Sequence, residues 1–133
     1  MIRRPRRFAQ GTTVPAAQSR AEIEKIVRGR GAKEFGSYTT EVGTSVLFSI
    51  HDRRIRFELP MPPNDPAEER RRWRCLVLNI KAKFEAVENY IVTFDEEFLA
   101  HIVIPTTDGE TVGSRVGPLI QDAYERGIPL LTQ

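Results

Sequence analysis

From Trp73 to Ile91 the chain places an apolar residue at every third or fourth position. Trp73, Val77, Ile80, Phe84, Val87 and Ile91 step by 4, 3, 4, 3 and 4, the repeat of one face of an α-helix. Asp65-Pro66-Ala67-Glu68 marks its start, with a capping carboxylate, a proline at the first helical position and a glutamate two residues on. The spacing predicts a helix from Pro66 to about Tyr90, with Leu76 and Leu78 widening its stripe. A face this long and this apolar cannot be left to water, so the rest of the fold must supply a surface to cover it.

That surface is written immediately upstream. Val46, Phe48 and Ile50 alternate with Leu47 and Ser49, and Ile55, Phe57 and Leu59 alternate with Arg54, Arg56 and Glu58. This is the period of strands that bury one face. His51-Asp52-Arg53 reads as a tight turn between them, and Pro60 closes the second. A weaker strand is predicted over Ala32–Thr39, where Phe35 and Tyr38 flank Gly36. The product is an antiparallel meander with one apolar and one polar face. Met61-Pro62-Pro63-Asn64 is a rigid crossing into the long helix.

The flanks carry further helices. Ser19-Arg20-Ala21-Glu22 has capping-box spacing, Ile23, Ile26 and Val27 follow at helical intervals, and Gly29 or Gly31 stops the run. Thr93-Phe94-Asp95-Glu96 is a second capping box, opening a short helix to about His101. Ile102-Val103-Ile104 is a short extended piece, and Asp108-Gly109 a turn. Thr111 caps a last helix reaching Arg126, stopped by Gly127, which Pro118 is expected to kink or split. The expected class is α+β: an N-terminal helix, a three-stranded antiparallel meander packed against a long helix, then two shorter C-terminal helices. Residues 1–18 are read as a flexible basic arm, and 19–133 as a single domain.

Composition excludes several classes. Cys75 is the only cysteine, so neither an intramolecular disulfide nor a cysteine-based zinc site is available. No apolar run approaches the roughly 18 residues of a membrane span. The opening Met-Ile-Arg-Arg-Pro-Arg-Arg-Phe is basic, but no apolar stretch follows it, so it is not read as a secretory signal. The expectation is a cytoplasmic protein without a membrane partner.

The formal net charge of +2 conceals a strong asymmetry. Residues 1–74 hold 16 Lys or Arg against 9 Asp or Glu, whereas residues 75–133 hold 4 against 9. Arginine dominates, the side chain suited to bidentate contact with phosphate and carboxylate. The candidate nucleic-acid contacts are Arg3, Arg4, Arg6 and Arg7 in the arm, Arg53, Arg54 and Arg56 on the hairpin, and Arg70, Arg71 and Arg74 at the opening of the long helix. Four arginines in the five positions 70–74 oppose the helix macrodipole, so helix stability does not account for them. They are expected to converge with the others on one exposed face and bind phosphate backbone with little sequence preference. Phe8, Tyr38 and Trp73 are the aromatics near these segments; Trp73, on the apolar stripe, is expected in the core, and the other two are free to stack on bases.

No catalytic constellation emerges, and no cofactor or metal is expected. Glu97 and His101 lie four apart on one helix face, but His51 is the only other histidine, so a surface or capping contact between them is expected rather than a metal site. Cys75, beside Leu76 and Val77, reads as a small buried hydrophobe. Gly29-Arg30-Gly31 is too short for a phosphate loop, and Gly109, Gly113 and Gly117 lack the lysine such a loop requires. The rival to nucleic-acid binding is a protein-interaction module, either docking on a host protein or assembling with copies of itself.

Several stretches resemble, as a set, a family of small bacteriophage and prophage proteins. They include Arg20-Ala21-Glu22-Ile23-Glu24, Ile55-Arg56-Phe57-Glu58-Leu59-Pro60, and Arg72-Trp73-Arg74 leading to the segment 80–88. The segment 93–103 and the ending from Thr111-Val112-Gly113 to Ala123-Tyr124-Glu125 belong with them. The resemblance covers most of the chain from Arg20 onward, leaves out the arginine-rich arm, and supplies no catalytic residue. It implies a phage accessory protein acting inside a bacterial host cell. The order helix, meander, long helix also resembles the core of Rad52-like single-strand annealing proteins, which implies a ring-forming protein of recombination or replication.

Overall fold

The computed structural model describes residues 8–131. In chain order its elements are α1 (Ala16–Gly29), β1 (Glu34–Thr40), β2 (Gly43–Ile50), β3 (Arg53–Pro60), α2 (Pro66–Glu88), α3 (Phe94–Phe98), a 3₁₀ turn at Leu99–His101, and α4 (Val112–Arg126). The three strands pair antiparallel in sequence order, in a register that aligns Phe35, Phe48 and Ile55 and, two residues on, Ser37, Val46 and Phe57. The expected α+β meander with a long helix against it is therefore the fold.

Two turns set the register. His51 and Asp52 take φ of 51° and 58°, a left-handed pair whose twist matches that of the strands it joins. At the other hairpin, Gly43 approaches β3 so closely that a Cβ would stand 2.4 Å from the Leu59 carbonyl oxygen. Only glycine fits there.

One face of the sheet forms the core. Val46, Phe48, Ile50, Ile55 and Phe57 pack under Ile23 and Val27 of α1 and under Trp73, Val77, Ile80 and Phe84 of α2. Phe98 of α3 closes the end of this layer with no exposed surface. The α2 cap is as the sequence predicts, the Asp65 side chain accepting from the Glu68 amide at 3.1 Å. Thr93 makes the expected capping box at α3, and Gly127 ends α4 with φ 67°.

Four local expectations need correction. Ala16–Gln18, read as part of the arm, already form the first turn of α1, with Pro15 rather than Ser19 at its N-cap. Ser19 is fully buried because it lies one turn before Ile23 and two before Val27 on the same face, and its hydroxyl caps nothing. The strands begin at Glu34 and Gly43 rather than at Ala32 and Val46. At the far end of α2, Tyr90 turns left-handed (φ 61°) and carries Ile91 out of the stripe, leaving it 75% exposed. Finally, α4 runs unbroken through Pro118. The carbonyl that Pro118 cannot serve belongs to Ser114, an exposed residue, so the lost hydrogen bond costs little. Among the described residues, no helix is long and apolar enough to cross a membrane.

Candidate interaction surfaces

The arginines do not converge. Arg53 makes a two-pronged contact with Asp95 of α3 at 3.1 and 3.0 Å, and that carboxylate holds the guanidinium above its ordinary pKa. Arg56 pairs with Glu58 on its own strand and donates to the Tyr38 hydroxyl at 2.9 Å. Arg71 and Arg72 close on one carboxylate, that of the buried Glu68, at 2.6 and 2.9 Å. Arg71 also donates to the Phe8 carbonyl at 3.1 Å, and Arg72 reaches the Pro60 carbonyl. Arg74 joins Lys81 on Glu22 of α1, whose carboxyl is held below its usual range, chiefly by the Lys81 hydrogen bond.

Four acids on four elements thus divide the cluster, and the arginine run at positions 70–74 ties α2 to α1, β3 and the segment at Phe8. This is the structural use that the macrodipole argument did not reveal. Of the candidates among the described residues, Arg54 and Arg70 alone make no ion pair. Arg3, Arg4, Arg6 and Arg7 lie outside the described residues.

Other candidates resolve differently. Trp73 is buried, as its place in the stripe requires. Cys75 is half-buried, not core, and donates to the Phe8 carbonyl at 3.4 Å. Glu97 and His101 do not meet each other. Glu97 pairs with Lys83 of α2 at 3.0 Å, while the His101 ring stacks on Phe57 at 4.0 Å. The reason is tertiary: α2 and β3 offer each a partner that its own helix turn cannot. Among the described residues no group of three or more His, Cys, Asp or Glu is placed to hold a metal.

Burial, and secondarily the Lys83 ammonium, push the His101 pKa below its ordinary 6.5. The folded state then binds fewer protons than the unfolded chain over that window. Stability from the neutral ring is complete above 6.5 and is lost as pH falls through the interval below it. Thermal melts are expected to show a lower Tm at about pH 5.5 than at about pH 7.5, with that difference diminished in His101→Phe. Equal pH dependence in the two proteins would refute this assignment.

Two surfaces remain, of which the charge pattern pointed only to the first. The outer face of the sheet bears Tyr38, Leu47, Arg54 and Arg56, and the turn at Gly109 reaches it, its carbonyl accepting from Arg56 at 3.3 Å. The larger surface is at α4. Gly113 locks the start of this helix to the body, since a Cβ would lie 2.8 Å from the Ala100 carbonyl oxygen. The Val112 amide donates to the Ile102 carbonyl at 2.9 Å. Beyond that first turn the cover is only partial: Val116 and Ala123 are half-buried, and Val116, Gly117 and Ile120 line an open groove with the 3₁₀ turn. Val112, Val116, Leu119, Ile120, Ala123 and Tyr124 form one apolar stripe, yet α4 buries no residue. Leu119 and Ile120 are 41% and 44% exposed, Tyr124 is 89% exposed, and Ile128, Leu130 and Leu131 extend the same uncovered end. The helical repeat was present in the sequence; what it could not show is how little of it is covered. No family model, curated protein or solved structure matches this chain.

Proposed function

We propose that this chain is a protein-interaction module whose docking surface is α4 and the segment following it. The observation that carries the reading is an amphipathic helix with a continuous apolar stripe and no buried residue. Among the described residues, six of the twelve large exposed hydrophobics fall between Leu119 and Leu131, a concentration that marks an interface rather than the scattered apolar residues of an ordinary surface. The arginine pairing supports the same choice. Cations already held by Asp95, Glu58, Glu68 and Glu22 must break those contacts before they serve a phosphate backbone.

Nucleic-acid binding is the second reading, and a different site favours it. Arg54, unpaired among the described residues, shares the outer sheet face with Tyr38 and Arg56, an arrangement of cation and aromatic suited to a single strand. One experiment separates the two. A photoreactive phenylalanine analogue is placed at Tyr124 or at Arg54 in the cell that naturally expresses the chain. Protein adducts from position 124 support the interaction module, and their absence there overturns it. Nucleic-acid adducts confined to position 54 would establish the second reading in its place.

A further inference from the structure

The residue order along α4 names a partner for its surface, and this inference rests on the interaction reading above. We infer that α4 pairs antiparallel with α4 of a second copy of this chain, forming a two-fold symmetric dimer. On one edge of the apolar stripe lie Arg115 and Asp122, two helical turns apart and so at nearly the same angle around the axis. On the other edge lie Gly117 and Ile120. When two identical helices pair antiparallel about a two-fold axis, each edge faces its own reversed copy. An axis midway between Pro118 and Leu119 sets Arg115 beside Asp122 of the second copy, and Asp122 beside its Arg115.

The same axis lays Ile120 over Gly117 of the second copy, where no atom lies within 4 Å of the place a Cβ would take. Opposite charge and side chain against hole both follow from one operator, the self-complementarity that an isologous interface needs and that docking on an unrelated protein does not. Asp122 sits at a loose 3.7 Å from Arg126, and Arg115, 56% exposed, holds Glu110 through two hydrogen bonds of 2.7 Å, so pairing with Asp122 of the second copy must share or replace that contact.

Sedimentation velocity on the purified full chain tests the pairing. Wild-type protein is expected to be a dimer at micromolar concentration. Arg115→Glu and Asp122→Arg each place like charges together and are expected to weaken association at least tenfold. Mixed one to one, the two variants restore opposite charge at both contacts and are expected to form a heterodimer, a recovery that misfolded protein cannot produce. Gly117→Leu, which fills open space on a helix and favours the monomer's fold, is expected to weaken association by a similar factor. A wild-type chain that stays monomeric at hundreds of micromolar overturns the inference, as does a mixture of the charge variants that fails to associate. Either failure leaves the interaction module standing if position 124 crosslinks to a different protein.

Discussion

Phe98→Ala is expected to lower the unfolding free energy by about 4 kcal/mol, the largest loss from any single substitution outside the backbone turns. Phe98 is fully buried, and the rings of Phe48, Phe57, Phe84 and Phe94 surround it at centroid distances of 6.5, 6.5, 5.1 and 4.5 Å. These rings come from β2, β3, α2 and α3, so the void cannot be filled by moving one side chain. Alanine removes the transfer free energy of the ring and leaves a cavity whose walls are held by separate elements. Against a typical total of about 5–15 kcal/mol, the variant is close to unfolding at physiological temperature. Phe94→Ala, at a half-buried position on the rim of the same cluster, is expected to cost about half as much. Urea unfolding curves with an unchanged slope and a lowered midpoint will show this. A loss under about 1.5 kcal/mol for Phe98→Ala would mean that α3 is not part of the core.

The second large effect is expected at Glu68. Its carboxylate is 8% exposed and holds Arg71 and Arg72, themselves 18% and 32% exposed. Removing it strands two guanidinium groups with limited access to water and takes a negative charge from the first turn of α2, where the helix dipole favours one. Glu68→Ala is expected to destabilise by about 3 kcal/mol, and Glu68→Gln, which keeps one acceptor, by less. The loss has a location as well as a size. Arg72 reaches the Pro60 carbonyl at the end of β3, and Arg71 the Phe8 carbonyl, so freeing both detaches α2 from two neighbours. Amide exchange should therefore quicken first at residues 66–72 while the centre of the sheet stays protected. Uniform loss of protection across the chain would point to a global effect instead.

How much of this was legible in the sequence depends on the range of the interaction. The stripe from Trp73 to Phe84 needs only the 3.6-residue repeat to be recognised, and it became the buried face of α2. The same repeat failed at Ile91, because a left-handed Tyr90 ends the run and periodicity says nothing about where a chain turns. Ser19 carried a valid capping signature, yet the helix gained another turn before it, since the face shared with Ile23 and Val27 outweighs a cap. The candidate site fared worse than the fold. Arg71 and Arg74 look like neighbours on one helix side, but they serve Glu68 on their own helix and Glu22 on α1.

By itself, then, the sequence determined the elements, their order, and the faces that β2, β3 and α2 bury, because capping, turn geometry and apolar periodicity act over a few residues. Only the tertiary structure decided which charges remain available. Arg74 meets an acid 52 residues away, and Arg53 one 42 residues away, distances over which no local pattern carries information. It also decided that α4, whose stripe predicts burial as that of α2 does, is only partly covered by its own chain and buries no residue. Burial is a property of two surfaces meeting, and one helix's periodicity describes only one of them.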